Sequence, residues 1–247
     1  MNKFPVLLVS GWAHGAEAMQ PLAGAMADSH DVILLSLADP CINHSENGGI
    51  SAYARGLCRH LDKLGTSAVI VGWSTGGIAA IEAAARYPQK VAGLVLMSAT
   101  ARFCLTEEYT AGVDPAVLRV MIRGLKRNPE AIIADFISQA LYPVAIPAHE
   151  ITRRTQRALE HGTGPLIEGL QYLERVDLRE VLPAIAAPCL IIHGSQDRIV
   201  PWQAAQYLVS KLPASNVEFL PSAGHSLIEQ CGKDLFNRIE QFVGSLR

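Results

Sequence analysis

Three residue types spaced along this chain have the makings of an ester-cleaving apparatus. Gly72-Trp73-Ser74-Thr75-Gly76 places a serine inside a Gly-x-Ser-x-Gly pentapeptide. The apolar run Val69-Ile70-Val71 precedes it, and Gly77-Ile78-Ala79-Ala80 behind it reads as a helix. A sharp turn from strand to helix holds a hydroxyl clear of a sheet, and the flanking glycines keep side chains out of the bend. A serine hydroxyl is a weak nucleophile at neutral pH, so it needs a base, and the base needs a partner to hold its tautomer. Downstream, Cys189-Leu190-Ile191-Ile192 runs into a turn carrying Asp197, and Val217-Glu218-Phe219-Leu220 leads to Gly224-His225. Ser74, Asp197 and His225 thus follow one another as nucleophile, acid and base, each just past an apolar run. In that arrangement His225 takes the proton of Ser74 as it attacks a carbonyl, then returns it to the leaving group. Asp197 orients the imidazole and stabilises the imidazolium. The tetrahedral oxyanion needs backbone donors. The N–H of Thr75 and that of Trp12, in the loop Ser10-Gly11-Trp12-Ala13, are expected to supply them.

Each residue also has a plainer reading. A serine between glycines is often only a turn residue, Asp197 suits an Asx turn, and a loop histidine such as His225 is commonly solvated. His193, at the end of its apolar run, is expected to satisfy a local hydrogen bond rather than act directly. Trp12, Trp73 and His14 are expected on the wall of the substrate pocket, with a solvent-facing His14 as the alternative.

These residues need a sheet edge to meet on. Apolar runs at 5–9, 32–37, 68–71, 94–97, 189–192 and 217–220 read as buried parallel strands. Between most of them lie helical patterns, at 51–64, 78–87 and 234–246. The alternation implies an α/β fold: a mostly parallel sheet of about six strands with helices on both faces. Catalytic groups of such sheets gather at the carboxyl ends of the strands. Between Met97 and Pro188 helix signals follow one another without a strand. Asp114-Pro115 and Asn128-Pro129 read as N-caps with proline in the first turn, and further helices are expected at 148–160 and 163–173. The expected organisation is a core of residues 1–100 and 181–247 with a helical lid at 101–180, which closes the pocket against water.

Composition bounds the class. The 247 residues are 49% hydrophobic and 18% charged, as in a globular chain, and the net charge of −2 gives no case for nucleic-acid binding. No apolar run approaches a membrane span. The run after Lys3 resembles a short signal peptide but reads better as a first core strand, because the Gly11-Trp12 loop follows it. Five scattered cysteines lack Cys-x-x-Cys or zinc spacing, so free thiols in a reducing cytoplasm are expected, with no metal and no cofactor. Charge is uneven, however. Residues 119–157 hold seven basic side chains against three acidic ones, a local excess of +4. Arg153, Arg154 and Arg157 share a helix face. That face is either solvated or a docking patch for an acidic partner.

Over its whole length the sequence resembles the α/β-hydrolase superfamily. Leu7-Leu8-Val9-Ser10-Gly11-Trp12, Gly72-Trp73-Ser74-Thr75-Gly76-Gly77 and the stretch Leu170-Gln171-Tyr172-Leu173-Glu174-Arg175-Val176-Asp177-Leu178-Arg179 are similar to carboxylesterases that demethylate pimeloyl-[acyl-carrier protein] methyl ester in biotin synthesis. The resemblance implies a helical lid, an oxyanion donor at Trp12, and lid arginines that meet an acidic acyl-carrier protein. Two segments depart from it. Ser10-Gly11 stands where the family usually has His-Gly, which touches the rigidity of the oxyanion loop. Leu37-Ala38-Asp39-Pro40-Cys41-Ile42-Asn43-His44 replaces an Asp-x-Pro-Gly-x-Gly-x-Ser loop and so alters one pocket wall. The family's N-terminal hairpin strands are expected to be absent. The reading implied is a cytoplasmic serine esterase acting on a carrier-linked acyl methyl ester. A small-molecule carboxylesterase or thioesterase, a cofactor-free haloperoxidase or C–C hydrolase, and a non-catalytic receptor on the same fold are the alternatives.

Overall fold

The computed structural model describes residues 4–37 and 50–246. Six strands, β1 (Val6–Val9), β2 (Val32–Leu35), β3 (Ala68–Trp73), β4 (Val91–Met97), β5 (Cys189–Gly194) and β6 (Ser215–Leu220), form one sheet in the order β2-β1-β3-β4-β5-β6. Every neighbouring pair is parallel. The helices are α1 (Gln20–Met26), α2 (Ala52–Leu64), α3 (Thr75–Arg86), α4 (Pro115–Leu125), α5 (Pro129–Leu141), α6 (Ala148–Ala158), α7 (Gly164–Arg175), α8 (Gln203–Lys211) and α9 (Leu227–Ser245).

The continuous apolar runs make these strands because both faces of the sheet are covered. Alternate residues go to opposite sides. Leu7, Val9, Ile70, Leu94, Leu96 and Ile191 join a core with α2, α3 and α8. Val6, Leu8, Val69, Val71, Val95 and Ile192 join a second core with α1 and α9. The run at β1 is fully buried between β2 and β3, as a core strand and unlike a leader. Among the described residues, no helix is long and apolar enough to cross a membrane.

Helix ends follow local chemistry. Ser51 caps α2 by accepting the N–H of Ala54, and Gly65, at φ +67°, stops it. Asp114 and Asn128 cap α4 and α5, as their Asx-Pro pairs predict. Two boundaries differ from the sequence expectation. Helix α3 begins at Thr75, immediately behind Ser74, because the turn passes into helix without a linker. Helix α9 begins at Leu227 and bends at Gly232, at φ +43°. The bend breaks the helical period, so the pattern is legible only beyond it. Helices α4 to α7 all lie between β4 and β5 in the chain, and no named strand interrupts them. Residues 38–49, the altered loop, lie outside the described residues.

Candidate active site

The strand order brings the site together. β1 lies beside β3 with Val9 opposite Gly72, so the loop after β1 emerges next to the turn after β3. That turn is tightly bent. Ser74 sits at φ +56°, ψ −120°, a strained conformation for a residue with a side chain. Its N–H donates to Met97 (2.8 Å) and its carbonyl accepts from Gly77 and Ile78 at the head of α3. The crowding explains the two glycines. A Cβ on Gly72 would lie 2.6 Å from the Gly76 carbonyl oxygen, and one on Gly76 would lie 2.5 Å from that of Val9. A Cβ on Gly11 would meet the Ser74 side chain at 3.1 Å, so the loop after β1 abuts Ser74 directly.

That loop is locked despite Ser10 standing where a histidine is usual. The buried Ser10 hydroxyl donates to the His14 carbonyl (3.0 Å), and Ser36 donates to the same oxygen (3.2 Å). The His14 N–H returns to Gly11 (3.3 Å), and its ring Nδ1 donates to the Trp12 carbonyl (2.8 Å). The Trp12 indole N–H donates to Leu166 in α7 (2.8 Å), and its ring stands edge-on to Phe136 of α5. The loop is therefore tied to the α4–α7 segment. Burial pushes the pKa of His14 down to about 4, with the nearby His225 adding to the effect and the Trp12 carbonyl opposing it.

Asp197 lies in the turn after β5 and His225 in the loop after β6. Both side chains are buried. Asp197 Oδ1 accepts the N–H groups of Ile199 (2.8 Å) and Val200 (2.9 Å), an Asx-type turn. Its Oδ2 accepts from His225 Nδ1 at 2.8 Å. The plain reading of Asp197 and the catalytic one thus use different oxygens of one carboxylate. Burial alone would raise the Asp197 pKa, but His225 and the hydrogen bond from His193 outweigh it and hold the carboxyl well below its usual range. His225 Nε2 is buried and has no hydrogen-bond partner, so the ring edge remote from Asp197 is unengaged and no bond to Ser74 Oγ is formed. Catalytic hydrogen bonds of unliganded sites are often long in this way.

A cavity of about 550 Å³ opens beside the loop after β1 and Thr75, with Ser74 and His225 off its wall. Gly11, Trp12, His14, Thr75, Tyr53 and Leu166 are on its wall, with Arg157 and Glu160 adding charge. Trp12 and His14 thus line it. Trp73 does not: it packs in the core beneath, between the rings of His14 and His225, with its indole N–H on the His225 carbonyl (2.9 Å). Its aromatic bulk fits a pocket wall, but its alternation along β3 sends it to the opposite face of the sheet from the cavity.

The three arginines do not form an unengaged patch. Glu150 binds Arg153 through two hydrogen bonds (2.8 and 2.6 Å) and also Arg154 (3.0 Å). Arg154 reaches on to Glu229 of α9 (2.6 Å), and Arg157 lies 3.8 Å from Glu17. The Arg153 and Arg154 hydrogen bonds pull the Glu150 pKa down to about 2. Glu150 was visible three and four residues from its partners, but Glu17 and Glu229 arrive only through the fold. Sequence reasoning also missed Ser98, just past β4 at φ +48°, whose buried hydroxyl donates to the His225 carbonyl (3.1 Å). Its position past a strand's C-terminal end was the available signal.

A family model described as alpha/beta hydrolase fold matches residues 5–230. The pimeloyl-[acyl-carrier protein] methyl ester esterase of Stenotrophomonas maltophilia (strain K279a) is 30% identical over 244 residues, covering 98% of this chain and 93% of that protein. Among solved structures, an esterase from Exiguobacterium antarcticum superposes with a TM-score of 0.86 at 18% identity, covering 98% and 92% of the two chains. A bromoperoxidase from Bacillus anthracis superposes with a TM-score of 0.88 at 18% identity, covering 99% and 93%. These two share the fold and differ in the reaction named for them, so the fold alone does not choose the chemistry.

Proposed function

The chain belongs to the α/β-hydrolase family, and from that premise we propose that it is a serine carboxylesterase that removes methanol from an acyl methyl ester carried on an acyl-carrier protein. The observation that carries this reading is the buried 2.8 Å bond from His225 Nδ1 to Asp197, which leaves Nε2 without a hydrogen-bond partner.

The proposed course follows from the positions. Substrate enters the cavity between the Trp12 loop and α7. As Ser74 Oγ attacks the ester carbonyl, His225 Nε2 accepts its proton and Asp197 stabilises the imidazolium. The backbone N–H groups of Trp12 and Thr75 receive the oxyanion, each contributing about 3 kcal/mol to the transition state. His225 then protonates the leaving methoxide, giving methanol and a Ser74 acyl-enzyme. Water, activated by the same imidazole, releases the free acid and restores Ser74.

The substrate class rests on the relative from Stenotrophomonas maltophilia, named for a carrier-linked methyl ester. In this reading residues 101–180 act as a lid over the core of 1–100 and 181–247. Arg153 and Arg157, each about half exposed, meet the acidic carrier, and Arg154 braces α6 through Glu150 and Glu229. Because these cations already have carboxylate neighbours, each adds roughly 0.2–1 kcal/mol and acts mainly on association rate.

Methanol release from a carrier-linked acyl methyl ester and from the same ester free in solution tests the proposal. The carrier-linked form is expected to show the higher kcat/KM, and its advantage to shrink as salt rises. Equal kcat/KM for both would identify a small-molecule esterase. Binding without methanol release would identify a receptor.

A further inference from the structure

His193 is the penultimate residue of β5, its side chain fully buried, four residues before Asp197. Its Nε2 faces two acceptors, the Val200 carbonyl oxygen at 3.0 Å and Asp197 Oδ2 at 3.3 Å. A ring nitrogen set between two acceptors carries the hydrogen. Its Nδ1 is buried with no partner, so a hydrogen there would be unsatisfied, and the Nε2–H tautomer is the one the site accommodates. Asp197 therefore accepts the N–H groups of Ile199 and Val200 on Oδ1 and the ring of His225 on Oδ2, while the His193 N–H, bonded to Val200, also lies 3.3 Å from Oδ2. Two imidazoles share one carboxylate oxygen, and only one of them lies on the path to Ser74.

We infer that His193 is a positioning residue for the proposed reaction, donating a second imidazole N–H to Asp197 Oδ2 and so moderating the charge that this oxygen presents to His225. The inference rests on the reading of Asp197 and His225 as acid and base. A carboxylate oxygen that bonds to two donors binds each less strongly than it would bind one alone. Without His193, Asp197 attracts the His225 imidazolium more strongly, and His225 keeps its proton to higher pH. A protonated His225 cannot take the proton of Ser74, so the active fraction at mildly acidic pH falls. His14, on the loop after β1, interacts with His225, and Arg154 of α6 and Glu229 of α9 act on His14 in turn. None of them touches Asp197 in the way His193 does.

His193 is not on the cavity wall, so its effect on KM is expected to be small. The test is the pH profile of kcat/KM on a small nitrophenyl ester for the wild type, His193→Phe and His193→Gln. The Phe variant removes the donor and is expected to move the acid limb upward by about half a pH unit. The Gln variant keeps an amide N–H within reach and is expected to return the limb toward its original position with KM unchanged. Superimposable acid limbs for wild type and Phe variant, or a Gln variant that tracks the Phe variant, would overturn the inference. If the Phe variant does not fold, ¹⁵N spectra of histidine in the wild-type enzyme decide the matter: a His193 Nε2–H is expected, and an Nδ1–H would overturn it. Failure of the underlying reading looks different, since the wild type would then show no ester hydrolysis or Ser74→Ala would retain it.

Discussion

Three donors converge on the carbonyl oxygen of His225: the indole N–H of Trp73 at the end of β3, the hydroxyl of Ser98 past β4 and the backbone N–H of Leu227 (3.1 Å). They fix the loop that carries the imidazole from behind, while Asp197 fixes the ring from the side. Removing one side-chain donor leaves the carbonyl with the others, so Ser98→Ala or Trp73→Phe alone loses about one net hydrogen bond, roughly 1 kcal/mol, on top of any loss of packing. Removing both leaves it only the N–H of Leu227, two residues further along the chain. A double-mutant cycle in urea, with Trp73→Phe as the conservative indole deletion, is expected to show a coupling of about 1 kcal/mol, the double loss exceeding the sum. An additive cycle would mean that the two donors do not share this task. None of this convergence was legible in the sequence, because it depends on β3, β4 and the loop after β6 meeting at one edge. What was legible at this scale was local. The Gly-x-Ser-x-Gly turn shows its crowding through its glycines, and the Asx turn of Asp197 uses the next three residues only. The partnership of His193 with Asp197 spans four residues, yet β periodicity gives no sign that both side chains turn into the same buried space.

At the scale of elements, a second buried carboxylate joins three helices. Glu82 of α3 accepts the N–H of Ser51 (2.7 Å) and its hydroxyl (2.5 Å) at the cap of α2, and also the hydroxyl of Tyr172 on α7 (3.3 Å). Burial first, and the adjacent Glu82 charge second, raise the Tyr172 pKa well above its usual value. Its hydroxyl therefore remains a donor. Glu82→Leu would strand the Ser51 N–H and the Tyr172 hydroxyl together. The expected loss is about 3 kcal/mol of unfolding free energy in a denaturant titration, with Glu82→Gln recovering part of it. A neutral Leu variant would show that Glu82 does not anchor α7. The inner strands β1, β3, β4 and β5 were legible as elements because each is an apolar run buried on both faces, whereas the edge strands β2 and β6 are only partly buried. Caps were legible where Asx precedes proline. The early start of α9 was not, because Gly232 breaks its period, and α1 and α8 are too short for theirs to stand out.

For the molecule as a whole, the parallel order β2-β1-β3-β4-β5-β6 sends the loop after β1, Ser74, Asp197 and His225 to one edge. The order of connections sets that edge, so alternating strands and helices were enough to anticipate it. Charge was harder to anticipate. Counting residues along 119–157 finds an excess of basic side chains, but folding supplies Glu17 and Glu229 from outside that span to two of the arginines of α6. Sequence counts miss such neutralisation, because the compensating acids come from the first loop and the last helix.

The proposed chemistry requires Ser74 Oγ to be the atom that becomes acylated. Intact-mass spectrometry after incubation with a fluorophosphonate, followed by peptide mapping, measures this directly. One covalent adduct on the peptide carrying Ser74, absent from Ser74→Ala and greatly slowed in His225→Ala, is the predicted result. An adduct on any other serine, or equal labelling of the Ser74→Ala variant, would contradict it.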